Sequence, residues 1–88
     1  MFADVMKQAL QMLGFERNDS GGFDGRLTPK IEVNVIFNPL TRLTEFGGHW
    51  RDDQCVGTIC IVTRADLDLA GVMQVLGRIL ARAEPRKG

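Results

Sequence analysis

The chain has 88 residues, 44% of them hydrophobic and 25% charged, and its eleven basic residues balance eleven acidic ones. This length supports a single domain, which we place at residues 1–88, with a modest core to which oligomerisation would add stability. A net charge of zero excludes strong, sequence-independent attraction to nucleic acid, and no stretch approaches the ~18 apolar residues of a membrane span.

Residues 1–14 are predicted to form a helix, because apolar side chains recur at steps of three and four. This apolar stripe comprises Phe2, Val5, Met6, Ala9, Leu10 and Leu13. Gly14 is a plausible end to the helix. So short a helix is unstable alone. Its stripe therefore docks either on the domain's own sheet or on a neighbouring subunit, and the sequence leaves both open.

Residues 15–30 are predicted to be a flexible loop, since turn-forming residues cluster between Asn18 and Gly25. The glycines invite comparison with a phosphate-binding loop. That motif needs a lysine followed by serine or threonine, and then a helix. Here Gly25 is followed by Arg26 and then by a predicted strand, so phosphate binding is set aside.

Two strands are expected to form the body of a β core at residues 31–85. Apolar and polar residues alternate from Ile31 to Phe37, and a more continuously apolar run from Val56 to Val62 is typical of a central strand. Between them, residues 38–54 are interpreted as a long polar loop. Its Trp50 is either a core plug that folds back over the sheet or an exposed anchor for a partner.

Residues 69–83 allow two predictions. Polar Gln74, Arg78 and Arg82 recur every four residues, which favours a helix. Apolar residues also occupy alternate positions, with Gly77 as a possible turn, which fits a hairpin of two short strands. Periodicity alone leaves both open.

Residues that could perform chemistry are few. The single histidine, His49, lies near Asp52, Asp53 and Cys55, but the paired ligand spacing of a zinc site is missing. Cys60 has apolar neighbours, so we expect a free thiol in the core rather than a nucleophile. The sequence therefore predicts no enzyme activity, no metal and no cofactor.

The order of segments resembles a known family. It includes a strand ending in Ile61-Val-Thr-Arg-Ala-Asp-Leu67, a glycine at Gly71, the segment Gly77-Arg-Ile-Leu80 and the closing Ala83-Glu-Pro85. Over residues 31–85 this pattern is similar to the small head–tail joining (head-completion, or stopper) proteins of tailed bacteriophages, of the lambda type. Val72 and Leu80 depart from it, standing where that family usually has aspartate and tyrosine.

The resemblance implies a mainly β fold, a small barrel or sandwich with an N-terminal helix and a C-terminal hairpin. It further implies a structural virion protein of the phage neck, assembled in the host cytoplasm, that completes the head after DNA packaging and joins it to the tail. The expected partners are further copies in a ring, typically a hexamer, together with portal or adaptor and tail proteins. DNA would pass through transiently without specific binding, and no membrane partner is expected.

The alternative is an α+β fold with a C-terminal helix at 69–83. Such a protein would be a small oligomeric interaction or regulatory protein, toxin–antitoxin-like and without catalysis. For the ring that the resemblance implies, the candidate contact surfaces are the helix stripe, the 38–54 loop and the Asn18–Gly25 segment. The candidate residues are Phe2, Met6, Phe23, Leu43, Phe46, His49, Trp50 and Arg51.

Overall fold

The computed structural model describes residues 1–51 and 56–83, which form five strands and two helices. The order is α1 (Asp4–Met12), β1 (Glu16–Arg17), β2 (Phe23–Thr28), β3 (Ile31–Asn38), β4 (Leu43–Arg51), β5 (Val56–Thr63) and α2 (Leu69–Ala83). Within this part of the chain the strands make one antiparallel sheet, with the neighbours in chain order from β1 to β5. The mainly β prediction with an N-terminal helix is confirmed, but the sheet is open and not a closed barrel.

One face of the sheet packs against both helices. Along β3 the side chains of Ile31, Val33 and Val35 are buried, whereas Glu32 and Ile36 on the opposite face are exposed. The inward residues join apolar side chains of α1 and α2 in a single core cluster. This is a two-layer arrangement in which each element buries one face or stripe. The outer face of the sheet remains open to solvent.

The predicted long loop at 38–54 is wrong over most of its length, because residues 43–51 form β4. The chain turns after β3 with the N–H of Arg42 donating to the carbonyl of Asn38, at an N–O distance of 2.8 Å. Pairing between β3 and β4 then runs from Asn38–Leu43 to Ile31–Trp50. Glycine is unfavourable in a strand unless something approaches closely, and here Gly48 faces Ile79 of α2. Residues 52–54 lie outside the described part.

The predicted loop at 15–30 also contains strands, the short β1 and the longer β2. The turn between them is organised by Asn18, whose side-chain oxygen accepts hydrogen bonds from the N–H groups of Ser20 and Gly22, at 3.0 and 2.9 Å. This is the local competition that makes asparagine a turn former. The turn-rich composition therefore marked a tight connection between strands.

Residues 69–83 are a helix, so the α+β alternative is confirmed and the hairpin is wrong. Asp68 caps α2, with its side-chain oxygen accepting from the N–H of Gly71 at 2.9 Å. Four apolar residues bury one stripe of the helix against the core, namely Val72, Val75, Leu76 and Ile79. Gly77 lies on the exposed side, with open space around the position of a Cβ. Burial of the stripe outweighs the cost of about 1 kcal/mol for each helical glycine.

Candidate functional site: the free edge of the sheet

Four of the eight predicted contact residues are core residues of the single chain. Phe2, Met6, Phe23 and Phe46 are each at most 5% exposed. The Phe2 ring meets Phe23 edge to face, with 5.6 Å between centroids, and contacts Phe37 in the same way at 5.9 Å. The helix stripe thus docks on the chain's own sheet. Of the two alternatives left open by the sequence, own sheet or neighbouring subunit, the first is the one observed. These side chains offer almost no surface to a partner.

The other four predicted residues all lie on β4, but on both of its faces. Leu43 is 37% exposed, and His49 and Arg51 are exposed on the outer face. Trp50 points to the inner face and is half-buried. It packs against the core cluster and covers Gly57 of β5, where a Cβ would overlap the indole ring. Trp50 is therefore closer to the core-plug interpretation than to an exposed anchor.

An open groove lies beside these residues at one end of the sheet, with Arg26, Lys30, Glu32, His49 and Arg51 among its lining. Each of these five side chains is exposed. Arg26 and Glu32 form an ion pair at 3.3 Å, and such solvent-exposed pairs contribute little stability. The groove brings together positive charge but no buried polar group aimed into it.

The strongest candidate site is the edge of the sheet formed by β5. This strand is last in the sheet order, pairs with β4 along its whole length, and has no strand on its other side within residues 1–51 and 56–83. Its eight residues include no charge and no proline. Such an edge leaves a row of N–H and C=O groups available to another extended chain.

The outer face of β5 is apolar and exposed. Val56 is 72% exposed and Val62 is 55% exposed. Cys60, between them on the same face, is an exposed free thiol, so the prediction that it belongs to the core is wrong. The reason is its face, because Cys60 pairs with Gly47 on the outer side of the sheet, which neither described helix covers. The period of two along the strand, which places Cys60 on the face opposite to Ile59 and Ile61, was the signal that could have revealed this.

The segment behind the family resemblance has a structural role in this fold. The Arg64 guanidinium donates two hydrogen bonds to the Asp66 carboxylate, at 3.1 and 2.8 Å. These bonds lower the pKa of Asp66 and raise that of Arg64. The carbonyl of Ala65 accepts from the N–H of Ala3 at 2.9 Å, and Leu67 packs against the core. Residues 64–67 therefore connect β5 to α2 and fix the start of the chain.

In the described residues no group of three or more His, Cys, Asp and Glu side chains is arranged to hold a metal ion. The predictions concerning Asp52, Asp53 and Cys55 fall outside the described part. Neither described helix is long and apolar enough to cross a membrane.

A scan against protein-family models, a search of curated proteins and a search of solved structures each give no match.

Proposed function

We propose that this chain is a non-catalytic interaction protein that assembles by accepting an added strand at the edge of β5. The single observation that supports the proposal is a long, uncharged, unpaired strand edge in the described part of the sheet. Strand addition is a common mode of recognition, in which main-chain hydrogen bonds supply affinity and alternate side chains supply specificity.

The side chains around this edge favour a packed strand over solvent. Ile59 and Ile61 point to the helix side, where Ile61 is 7% exposed and Ile59 is partly exposed. Val62 on the outer face leaves more than half of its surface in water. An added strand would cover both sets of side chains, and burial of apolar area is favourable at roughly 25 cal/mol per Å². Assembly through this edge would complete a surface that the single chain leaves open.

This function corresponds to the α+β interaction protein rather than to the phage neck protein. The head–tail joining role remains a prediction that the fold does not support, because the hairpin implied by the resemblance is helix α2. Residues 64–67, which belong to the segment that carries the resemblance, form the connection between β5 and α2. An interaction role without catalysis requires neither a C-terminal hairpin nor a free 64–67 segment.

The proposal is tested with a synthetic peptide of the β5 sequence, residues 56–63 with Cys60→Ser and a lysine added at each end. We expect this peptide to bind the protein and to slow amide hydrogen exchange in β5, at the alternate N–H groups that point away from β4. A matched peptide methylated at alternate backbone nitrogens cannot donate those hydrogen bonds and should not bind. Equal binding by both peptides, or protection elsewhere than β5, would overturn the proposal.

A further inference from the structure

We infer that the strand added to β5 is β5 of a second copy of this chain, antiparallel to the first and centred on Cys60. This inference rests on the proposed function and names its partner. In the resulting two-fold dimer the two sheets form one continuous sheet, with the helices of both copies on the same side. Such an interface uses the same patch on both copies.

The two-fold axis restricts how the strands can pair. In a continuous antiparallel sheet, opposed residues point to the same face, so inner residues meet inner residues and outer residues meet outer ones. The residue at the axis then meets itself. For a strand running from Val56 to Thr63, the two longest pairings are centred on Ile59, which uses residues 56–62, and on Cys60, which uses residues 57–63.

The sequence on either side of Cys60 is close to a palindrome. Ile59 of one copy lies opposite Ile61 of the other, and both point to the helix side. Thr58 lies opposite Val62, two β-branched side chains of nearly equal shape, on the outer face. An isologous interface requires each residue to suit its counterpart in both directions, and this register matches like with like.

The register centred on Ile59 fits less well at Gly57. There the Trp50 indole fills the space above the glycine, and the opposing residue would be the large Ile61. In the register centred on Cys60 the opposing residue is the smaller Thr63. The Ile–Ile pairs next to the axis also extend the core, in which Ile61 belongs to the buried cluster and Ile59 packs against it.

The absence of charge on β5 is the second argument for a second copy. A two-fold axis duplicates every charge, so a charged edge strand would set like charges near each other, which destabilises a strand pair. The strand from Val56 to Thr63 contains neither acidic nor basic residues. Adjacent charges on its outer face belong to β4, where Glu45 is paired with Val62 and Arg51 with Val56.

The test is a pair of double variants that differ at one position, Thr58→Glu/Val62→Lys and Thr58→Lys/Val62→Lys. Both positions are exposed, and the lysine introduced at position 62 would lie beside Glu45 in each variant, so both monomers should fold. In the proposed register, residue 58 of one copy faces residue 62 of the other. The first variant therefore forms two opposite-charge pairs across the interface, and the second forms two like-charge pairs.

We expect the wild-type chain to be a dimer by sedimentation equilibrium and the opposite-charge variant to remain one. The like-charge variant should dissociate at a concentration on the order of tenfold higher or more, as expected for two reversed cross-strand pairs. Circular dichroism of both variants checks that they are folded. A wild-type monomer over the whole concentration range would overturn the second copy as partner, while peptide binding would still support strand addition. A dimer of equal strength in both variants would contradict the pairing of residue 58 with residue 62, and with it the register centred on Cys60.

Thiol crosslinking tests the register separately. In the Cys55→Ser variant, diamide should convert two Cys60 thiols at the axis into one intermolecular disulfide, because opposed strand residues have a Cα separation within the range that a disulfide spans. A matched variant, Cys55→Ser/Cys60→Ser/Thr58→Cys, carries its thiol away from the axis and should crosslink at least about tenfold more slowly. Equal or faster crosslinking through residue 58 would overturn the register centred on Cys60 and leave strand addition itself untouched.

Discussion

The two edges of this sheet are built in opposite ways. At one edge β1 has two residues, Glu16 and Arg17, both charged and both exposed. At the other edge β5 has eight residues, none charged, with β-branched side chains over most of its length. Short length and charge are the common means by which proteins protect an edge from pairing with another chain. One edge is protected in this way and the other is not.

This difference between the edges supports the proposal that the open edge is an interface. The same chain that places charges at β1 places valine, cysteine and valine on the exposed face of β5. A long, flat, apolar edge without a partner is a hazard for aggregation. The proposed pairing with a second copy would remove this hazard at β5, whereas the short, charged β1 is already protected.

The largest expected effect comes from making β5 resemble β1. Cys60→Lys puts a charge in the middle of the open edge, at an exposed position opposite Gly47, where a long side chain has room. In the proposed dimer two lysines would meet at the axis. We expect the dissociation constant to rise on the order of 10- to 100-fold, measured by sedimentation equilibrium. Arg17→Ser, which removes a charge from the protected edge, is the control and should leave association unchanged.

A smaller effect is expected from Trp50→Ala, which removes the inner support of β5. The half-buried indole covers Gly57 and contacts the core, so its loss should lower the free energy of unfolding by about 2 kcal/mol. The loss is measured by chemical denaturation of the like-charge variant Thr58→Lys/Val62→Lys, with and without Trp50→Ala. This variant is used because weakened association lets the unfolding of the monomer be followed. Trp50→Phe should recover part of the loss. An unchanged unfolding transition together with weakened association would instead identify Trp50 as an anchor.

Gly77→Ala should separate stability from association. Gly77 lies inside α2 with open space around it, so alanine should raise the free energy of unfolding by about 0.5–1 kcal/mol. Because the position is away from the β5 strand, the dissociation constant should not change. If residues 69–83 were a hairpin with its turn at Gly77, the substitution would lower stability. Thermal denaturation at fixed protein concentration distinguishes the two outcomes.

The smallest effect is expected immediately after β5. The hydrogen bonds from Arg64 hold the pKa of Asp66 below its ordinary value. A lowered folded-state pKa adds stability above the unfolded pKa, and this is lost as the pH falls through the folded value. In Arg64→Ala the pKa of Asp66 should rise towards its ordinary value, as followed by carboxyl NMR titration. Both groups are exposed, so solvent screening should make the loss of stability at neutral pH small, and association should be unchanged.

The sequence predicted the parts of the fold that follow from local periodicity. The stripe from Phe2 to Leu13, the alternation from Ile31 to Phe37 and the four-residue repeat in 69–83 each correspond to an element of the structure. For residues 69–83 the family resemblance implied a hairpin, whereas the helical periodicity predicted the helix that the structure has. Local patterning reports backbone conformation because it records which side of an element is buried.

The remaining errors concern positions that only long-range packing determines. The sequence suggested a long loop at 38–54, but most of it is β4, where Gly48 gives room to Ile79 of α2. Cys60 looked like a core residue because its neighbours are apolar, yet it lies on the outer face of the sheet, away from the helices. Among the predicted contacts, Phe46 and Met6 are buried in the core of the single chain. A sequence shows that a residue is apolar, but not whether its own chain covers it.

The most direct test is amide hydrogen exchange of the wild-type protein at concentrations above and below the dissociation constant. We predict that alternate amides between Gly57 and Thr63 exchange slowly when the protein is concentrated and faster on dilution. Those of Glu16 and Arg17 at the protected edge should exchange at the same rate throughout. Exchange in β5 that is equally fast at every concentration, in a protein shown to self-associate, would contradict pairing through this edge.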